Sequence, residues 1–287
     1  MQSKIFLTLS FIFILGGFSL IRQSSGQKIE EKFVFCDIGQ GDGFVYITSG
    51  GSQIVFDSGP GVKITNCLDR IMPFGDRKIE AMLLTHPQQD HMQGQINVFE
   101  NFQVERVFYT GVMASSQVFN EWLRLANAEK AQIVNLKRGD EVTAGAATFE
   151  VLWPPEEDEK VWKEEPPDDL NESSYVVRLD EGKFCAYLTG DVPKEIMALL
   201  VTKPCQLLKV GHHGSKTATD SFVVGKVLPK IAVIQVGANN RFGHPNGEAL
   251  TALSQVGAKI LRNDINGDIE VLFNAENGEI RYKTQKN

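Results

Sequence analysis

Short apolar runs alternate with polar, glycine-containing segments along the first half of the chain. Their β-branched and aromatic residues, and their lengths, are typical of β-strands. The predicted strands are residues 33–38, 44–48, 53–57, 80–85, 104–110 and 148–152. Residues 115–128 instead place apolar side chains at Val118, Trp122, Leu125 and Ala126, the spacing that predicts an amphipathic helix.

The second half repeats this rhythm with helical patterns between the strands. Predicted strands are 175–179, 183–189, 206–210, 231–236 and 268–273, and predicted helices are 193–201, 219–227 and 247–256. The proline-rich, acidic stretch 154–170 predicts a solvated loop. Two sets of strands, each too short to form a core alone, predict an α/β fold with two sheets face to face and helices outside.

The N-terminal 26 residues predict a signal peptide. Lys4 precedes a 16-residue apolar run from Ile5 to Leu20, and the small residues 24–26 offer a cleavage site. An uncleaved N-terminal anchor is the alternative, although a spanning helix needs about 20 apolar residues. We therefore expect residues 27–287 to form a single domain, exported to the periplasm or outside the cell, with no stable membrane span after cleavage.

Net charge bears on the substrate, because binding a polyanion requires positive potential near the site. The chain carries a formal net charge of −7. Within the predicted acidic loop, 154–172, nine acidic residues stand against Lys160 and Lys163, a local net charge of −7 that equals the total. The rest of the chain is neutral overall, so a nucleic-acid substrate is not excluded.

Four cysteines in an exported chain permit disulfides in three complete pairings. None forms a close CxxC pair. Cys36 and Cys185 lie inside apolar, strand-like runs, where a cysteine commonly acts as a small buried hydrophobic residue. The sequence favours that interpretation over structural disulfides.

All five histidines follow predicted strands closely. His86 and His91 come after 80–85, His212 and His213 after 206–210, and His244 lies in the loop after 231–236. Strand ends are where α/β proteins gather their sites. The histidines are therefore predicted to share one site.

The residue types around these histidines indicate a metal. The segment from Thr85 to His91 offers two imidazoles and the carboxylate of Asp90, a combination that suits zinc, manganese or iron. Asp191 ends another strand and could bridge or complete the site. Glycines flank the His212–His213 pair and allow close backbone approach to a ligand.

Six ordered motifs between Phe33 and Phe273 resemble the metallo-β-lactamase superfamily, and more closely the extracytoplasmic domain of ComEC-type DNA-uptake proteins. The motifs are Asp37-Ile38-Gly39-Gln40-Gly41-Asp42, Phe56-Asp57-Ser58-Gly59, Leu84-Thr85-His86 through Asp90-His91, Leu188-Thr189-Gly190-Asp191, His212-His213-Gly214-Ser215 and Asn239-Asn240-Arg241-Phe242-Gly243-His244-Pro245. The resemblance implies an αββα sandwich with a metal site at one edge. It also implies that metal-activated water attacks an ester, often a phosphodiester.

The resemblance also implies site residues. Its metal ligands fall on His86, Asp90, His91, Asp191 and one of His212 and His213, with His212 favoured. Asp90 is also a candidate catalytic residue, as is His244, which is either a further ligand or a group that meets the substrate. We expect Zn²⁺ or Mn²⁺, with one or two ions per chain.

Gln88 departs from the superfamily, which usually has a histidine at this position. An amide oxygen is a poor ligand for zinc and a better one for harder cations. No sixth histidine exists to complete a second full site. The sequence therefore favours a single tight ion over a complete pair, bound by Asp90, His91, Asp191 and His212.

Several side chains beside the motifs could bind a phosphate. Ser215 and Asn240 could donate hydrogen bonds, and Lys209, Lys216 and Arg241 could provide positive charge. Each could equally be an ordinary surface residue.

Asp42 and Asp57 also leave two interpretations open. Either carboxylate could orient a metal-binding histidine. Either could instead organise a tight turn beside a glycine.

Three functions are compatible with these patterns. The first is a metal-dependent phosphodiesterase or nuclease, and the second a hydrolase of a small or cell-surface ester, similar to a phosphorylcholine esterase. The third, suggested by Gln88, is a degenerate binding protein without catalysis. Because Asp90, His91, Asp191 and both paired histidines are all present, we favour an enzyme. The sequence does not indicate an oligomeric state.

Overall fold

The computed structural model describes residues 18–20, 30–129 and 131–286. In chain order the strands are β1 (Phe18–Leu20), β2 (Lys32–Phe35), β3 (Gly43–Ile47), β4 (Gln53–Asp57), β5 (Lys78–Ile79), β6 (Ala81–Leu84), β7 (Gln103–Val104), β8 (Arg106–Tyr109), β9 (Gln132–Val134), β10 (Glu141–Ala144), β11 (Ala147–Trp153), β12 (Val176–Glu181), β13 (Phe184–Thr189), β14 (Leu207–Lys209), β15 (Ile231–Ile234), β16 (Lys259–Arg262), β17 (Ile269–Asn274) and β18 (Glu279–Thr284).

The α-helices are shorter and mostly lie between strands. They are α1 (Lys63–Ile71), α2 (Gln89–Asn101), α3 (Gln117–Ala128), α4 (Glu156–Trp162), α5 (Lys194–Leu200), α6 (Ser221–Val227), α7 (Gly247–Gln255) and α8 (Asn263–Asn266). Two 3₁₀ helices occupy Leu170–Ser173 and Gly211–Gly214. Within the described residues, none of the helices combines the length and hydrophobicity needed to cross a bilayer.

The strands form two large mixed sheets and one short parallel pair, β5 with β7. The first sheet has the order β1-β10-β11-β12-β13-β14-β15-β16. The second sheet has the order β18-β17-β2-β3-β4-β6-β8-β9. Of the predicted signal peptide, residues 1–26, only the three residues of β1 belong to the described part of the chain.

Alternation along the central strands creates the layers. In β2, Phe33 and Phe35 belong to the core between the two sheets, whereas Val34 belongs to the core beneath α1, α2 and α3. On the first sheet, Tyr187 of β13 faces α5, α6 and α7, and Leu188 faces the other sheet. The four layers confirm the predicted α/β fold, an αββα sandwich.

Two predicted strands lie in the sheet that is built mainly by the other half of the chain. Residues 148–152 lie in β11, which pairs with β12 in the first sheet. Residues 268–273 overlap β17, which pairs with β2 in the second sheet. Each half of the chain therefore contributes strands to both sheets. The sequence did not predict this arrangement, because a period-2 pattern identifies a strand but not its distant partner.

The acidic stretch 154–170 is not the simple loop that was predicted, because it contains α4. This helix follows Pro155, a residue compatible with the start of a helix. Glu156 lies 2.7 Å from Lys160 one turn later and 2.9 Å from Lys137. Opposite charges at this spacing stabilise a short exposed helix. The sequence did not predict the helix, because the net acidity of the stretch indicated a solvated loop.

The cysteines form two disulfides, so the prediction of unpaired buried cysteines is wrong. Cys36, just after β2, is bonded to Cys67 of α1 with a Cα–Cα distance of 6.1 Å. Cys185 of β13 is bonded to Cys205 before β14, with a Cα–Cα distance of 5.0 Å. Burial among apolar residues is common to free and bonded cysteines, and the partners are too far apart in sequence for a local motif to reveal them.

Candidate metal site

The carboxyl ends of parallel strands gather the histidines at one edge of the sandwich. In the second sheet β4, β6 and β8 run parallel, and His86 follows β6. In the first sheet β13, β14 and β15 run parallel, and Asp191 and His213 follow β13 and β14. Ring-centroid separations are 4.2 Å for His86–His91, 5.4 Å for His91–His213, 5.8 Å for His212–His213 and 5.7 Å for His212–His244.

Two glycines let backbone loops approach the first turns of α2, where Asp90 and His91 lie. A Cβ atom on Gly41 would lie 2.1 Å from the carbonyl oxygen of Asp90, and one on Gly94 would lie 2.1 Å from that of Ser58. No side chain fits at these distances. In return, the backbone N–H of Ser58 donates to the carbonyl of His91 across 2.7 Å. The glycines therefore allow loops from the sheet to fix the start of the helix.

Hydrogen bonds fix the orientation of His91. Its Nδ1 lies 2.8 Å from Oδ2 of Asp57. Thr85 donates to the same carboxylate from its backbone N–H, at 2.8 Å, and from its hydroxyl, at 2.7 Å. In the neutral ring, with Nδ1–H donating to Asp57, the lone pair belongs to Nε2, which lies 3.3 Å from Oδ2 of Asp191.

His213 has the same arrangement from the other sheet. Its Nδ1 lies 3.0 Å from the carbonyl oxygen of Gln235 and 3.2 Å from Oδ1 of Asp42. Both are acceptors, so the proton belongs on Nδ1. In the neutral ring, Nε2 presents its lone pair 3.3 Å from Oδ2 of Asp90 and 3.5 Å from Oδ2 of Asp191.

His86 completes a set of three buried imidazoles. Its Nδ1 lies 3.1 Å from the hydroxyl oxygens of both Thr85 and Ser174. Because the Thr85 hydroxyl donates to Asp57, its oxygen is left to accept from the Nδ1–H of His86. Nε2 of His86 is again the atom with a free lone pair.

The adjacent histidines His212 and His213 take different positions. The side chain of His213 is only 2% exposed, whereas that of His212 is 27% exposed, with Nε2 3.7 Å from Oδ2 of Asp191. Both have left-handed backbone conformations, with φ of 47° and 54°. Such conformations are costly for side chains larger than glycine and are typical of functional sites. His213 is therefore better placed than His212 to point a nitrogen at the carboxylates.

Asp42 and Asp57 both contact histidines, so the interpretation that they orient ligands is supported for each. Asp57 also has a left-handed φ of 49°, which fits the alternative role in a turn. Asp42 in addition forms a buried ion pair with Lys209, which is fully inaccessible. Lys209 therefore does not face a substrate, as the sequence had suggested, but neutralises Asp42 inside the protein.

Burial and charge set the protonation of these groups. Burial, reinforced by His91, lowers the pKa of His86 to about 3, so this imidazole is neutral. Burial would also lower the pKa of His213, but Asp191 and Asp42 outweigh it and raise the pKa to about 10. For His91, Asp191 and Asp57 likewise overcome burial and hold the pKa well above its usual range.

The carboxylates respond in the opposite direction. Burial raises the pKa of Asp57 despite the nearby His91. For Asp191, burial would raise the pKa, but His91 and His213 hold it well below its usual range. For Asp42, Lys209 and His213 likewise outweigh burial and lower the pKa.

The donor atoms fit a divalent cation. Nε2 of His86, His91 and His213 and Oδ1 of Asp191 are buried, and none has a hydrogen bond of normal geometry within the described part of the chain. Buried polar atoms are normally satisfied, so four that are not, in one cluster, indicate a missing partner. Ligand atoms of His86, His91 and Asp191 lie within 4.8 Å of one another, as do those of Asp90, His91 and His213. Imidazole nitrogens with carboxylate oxygens are the donor set of zinc, manganese and iron sites.

A cleft of about 650 Å³ opens beside this cluster. Asp90, His212 and His213 reach it from the cluster, and Gln40 and Gln88 also line it. The loop after β15 contributes Asn240, Arg241, Phe242 and His244. This cleft is the access route from solvent to the candidate metal ligands.

The predicted phosphate-binding residues do not all meet at the cleft. Ser215 is buried, with its hydroxyl 2.9 Å from that of Thr217. Lys216 lines a separate surface groove with Lys194 and Asp220. Neither residue lines the cleft.

Asn240 and Arg241 do line the cleft, in different ways. The amide nitrogen of Asn240 donates to the carbonyls of Gly237 and His244, and its oxygen accepts from the backbone N–H groups of Phe242 and His244. Its polar atoms thus hold the loop together. Arg241 is exposed, with its guanidinium carbon 5.0 Å from the centroid of the Phe242 ring.

Sequence reasoning missed three supporting groups, the carbonyl of Gln235, the hydroxyl of Ser174 and the ring of Phe242. The first two come from strand-end positions that no local pattern connects to a histidine. Phe242 does lie within the motif from Asn239 to Pro245. An aromatic residue in an otherwise polar loop is typical of a ligand-binding position, so the sequence did contain an indication of its role.

Comparison with solved structures defines the class of protein. YhfI of Bacillus subtilis, a metallo-β-lactamase fold protein, gives a TM-score of 0.57 at 13% identity, over 89% of this chain and all of the other. Zinc-bound PqqB of Methylobacterium extorquens gives 0.51 at 10% identity, over 80% of this chain and 97% of the other. CmlA of Streptomyces venezuelae, a diiron β-hydroxylase, gives 0.55 at 12% identity, over 89% and 54%. The chain has the metallo-β-lactamase fold.

Sequence comparison then gives the particular relatives. ComE operon protein 3 of Bacillus subtilis is 31% identical over 265 residues, 83% of this chain and 32% of that protein. Competence protein ComA of Neisseria gonorrhoeae is 26% identical over 266 residues, 90% and 35% of the two chains. The predicted resemblance to ComEC-type proteins is confirmed, and the chain spans about a third of the length of these relatives. No family model matches the chain.

Proposed function

We propose that this chain is an exported, metal-dependent phosphodiesterase whose substrate class is nucleic acid. One observation carries the proposal, namely the convergence of three buried imidazole Nε2 atoms and an Asp191 oxygen beside an open cleft, none of them hydrogen-bonded to another described residue. Such a set supports hydrolysis if it holds a cation next to a bound ester. The similarity to ComE operon protein 3 and to competence protein ComA supports nucleic acid over other esters.

The proposed ligands are His86, Asp90, His91, Asp191 and His213, for Zn²⁺ or Mn²⁺. His212, favoured by the sequence, lies at the cleft edge, so in our proposal it contacts the substrate or completes the ion's surroundings. When bound, the ion supplies Lewis-acid chemistry, because it makes a water more acidic and withdraws electrons from the scissile group. Asp57 and Asp42 hold the rings of His91 and His213 in the tautomer that this requires.

The remaining chemistry comes from the loop after β15. Arg241 provides an exposed positive charge at the cleft, which suits a phosphate and contributes nothing to a neutral ester. His244 is half-buried, and burial together with His212 lowers its pKa, so the ring is neutral near pH 7. Its Nδ1 is buried without a hydrogen-bond partner within the described residues. We assign His244 the exchange of a proton with the substrate.

Export is supported by the disulfides. Two disulfides persist in oxidising compartments and are rare in a reducing cytosol. They agree with the signal peptide predicted from residues 1–26. We place the protein in the periplasm or outside the cell.

The test is metal analysis followed by a substrate screen. We expect the purified protein to contain or take up Zn²⁺ or Mn²⁺, and to hydrolyse DNA, RNA and a chromogenic phosphodiester in a chelator-sensitive reaction. Asp191→Asn removes a central ligand, whereas Asp69→Asn, which changes an exposed carboxylate of α1 outside the cluster, is the matched control. Hydrolysis confined to small esters would favour the phosphorylcholine-esterase-like alternative. Metal binding with no hydrolysis at all would favour a non-catalytic binding protein.

A further inference from the structure

Phe242 is half exposed at the cleft, and packing does not explain its position. Its side chain is 51% exposed, although phenylalanine gains most from burial. Its ring neighbours are polar planar groups. The guanidinium of Arg241 lies over the ring at 5.0 Å, and the ring of His244 is nearly parallel to it, at 14° and 5.9 Å. These three side chains form a row of planar groups at the cleft, which we call the cleft row.

The loop that carries the cleft row is fixed before any ligand arrives. Asn240 accepts hydrogen bonds from the backbone N–H groups of Phe242, at 3.2 Å, and His244, at 3.0 Å. Gln40 accepts from the N–H of Gly237, at 3.1 Å, and so ties the loop to the segment after β2. A preorganised aromatic surface loses little entropy on binding, as expected of a recognition surface.

The cleft also offers side-chain amides. Gln40 and Gln88 line it, and Nε2 of Gln40 is buried with no hydrogen-bond partner in the described part of the chain. A buried, unsatisfied amide N–H is a donor available to a ligand oxygen. The cleft therefore combines a row of planar groups, an exposed positive charge and an amide donor without a partner among the described residues.

We propose that the cleft row is a nucleotide subsite, in which a base of a single strand stacks against the exposed part of the Phe242 ring and Arg241 pairs with an adjacent phosphate. This inference rests on the proposed function and specifies its substrate. Stacking on aromatic side chains with basic residues along the backbone is how proteins hold single strands without reading sequence. A phosphorylcholine ester fits less well. Its quaternary ammonium would bind the aromatic ring but would be repelled by the guanidinium over that ring.

The experiment compares two fluorescent strands of equal length and charge, oligothymidylate and an abasic strand. In Phe242→Ala, we expect kcat/KM on oligothymidylate to fall roughly tenfold or more, the loss typical of one stacked base. Hydrolysis of the abasic strand should change by less than about twofold, because it offers no base to stack. Phe242→Trp should retain the preference for oligothymidylate. Phe74→Ala removes a fully exposed phenylalanine that does not line the cleft and is the matched control.

Two results would overturn the proposal. One is an equal fall in kcat/KM on both strands in Phe242→Ala, which would indicate a general role of Phe242 in the loop. The other is no fall in kcat/KM on either strand. If the wild-type protein hydrolyses neither strand, the proposed function fails for DNA. Binding of the same two strands, measured by fluorescence anisotropy, then tests the nucleotide subsite independently of hydrolysis. Tighter binding of oligothymidylate than of the abasic strand by the wild type, abolished in Phe242→Ala, supports the subsite. Equal binding of both strands by the wild type refutes the subsite.

Discussion

Asp57 and His91 are joined by a 2.8 Å hydrogen bond between Oδ2 and Nδ1, although 34 positions separate them in the chain. Asp57 ends β4, and His91 lies in the first turns of α2. Through this bond the carboxylate of Asp57 holds the ring of His91 in an orientation in which Nε2 faces Asp191. Supports of this kind set the tautomer and basicity of metal-binding histidines.

Asp57→Asn should therefore weaken metal binding while it leaves the candidate ligands in place. The amide has nearly the same shape, but it is a weaker acceptor for Nδ1–H, so we expect affinity to fall by about 10- to 100-fold. Competition against a chromogenic chelator measures the change. Asp69→Asn, on the exposed side of α1, is the control. Unchanged affinity in a folded Asp57→Asn protein would mean that the carboxylate only shapes the turn.

The two adjacent histidines should respond differently to removal. His213 is buried, with two acceptors on Nδ1, whereas His212 is partly exposed. We expect His213→Ala to lower metal affinity by more than about 100-fold, beyond the range of supporting residues, and His212→Ala by about tenfold or less. Titration calorimetry on both variants measures this. The reverse order would restore the prediction from sequence, which favoured His212.

Metal binding should release protons at neutral pH. Carboxylates on both sides raise the pKa of His213 to about 10 and that of His91 well above its usual range, so in the absence of a cation both rings favour the protonated form. A cation must displace those protons from Nε2, so affinity rises with pH through neutrality and proton release declines only near the raised pKa. Calorimetry in buffers of different ionisation enthalpy counts the protons. Release of none would mean that the rings are already neutral.

Local patterns predicted what local physics determines. Period-2 apolar runs located most strands, and the positions of the histidines after those runs predicted that they would cluster at one edge of the fold. By contrast α2 was not predicted, because Gly94 and several polar residues interrupt its pattern. The structure gives the reason for that glycine, since a side chain at Gly94 would collide with the carbonyl of Ser58. The site thus requires a residue that lowers helix propensity.

Other features depend on contacts that sequence separation conceals. The ion pair of Lys209 with Asp42 joins residues 167 positions apart, so an apparent substrate-binding lysine proved to be buried. The different orientations of His212 and His213 arise from two left-handed backbone conformations that no spacing rule reports. Residue types predicted a cluster of candidate metal ligands, but they did not predict which of two neighbouring histidines points a nitrogen at the carboxylates.

The disulfides should contribute measurably to stability. Cys36–Cys67 and Cys185–Cys205 close segments with sequence separations of 31 and 20 residues. Crosslinks of this size restrict the unfolded chain by about 3 kcal/mol each in the chain-entropy description. Cys185→Ala with Cys205→Ala should lower the urea midpoint accordingly, and reductant should lower that of the wild type but not of a variant that lacks both bonds. Four alkylatable thiols in the unreduced, unfolded protein would contradict this.

Arg241 and Lys216 provide a direct comparison between sequence and structure. Both were predicted to bind phosphate, yet only Arg241 lines the cleft, and Lys216 lines a separate groove. A charge-assisted hydrogen bond to phosphate contributes about 1.5 to 3 kcal/mol, so Arg241→Ala should lower kcat/KM on a phosphodiester by roughly tenfold or more. Lys216→Ala should leave it within about twofold, since a screened surface charge contributes little.

The effect of Arg241→Ala should also depend on the charge of the substrate and on the salt concentration. A neutral ester cannot use the guanidinium, so Arg241→Ala should affect it far less than an anionic phosphodiester. Added salt should weaken hydrolysis of DNA more in the wild type than in Arg241→Ala, because the variant has already lost one phosphate contact and its share of counterion release. Equal losses in Arg241→Ala and Lys216→Ala would show that general surface charge, and not the cleft, recruits the substrate. Equal effects of Arg241→Ala on neutral and anionic esters would remove the phosphodiester assignment and leave the small-ester hydrolase.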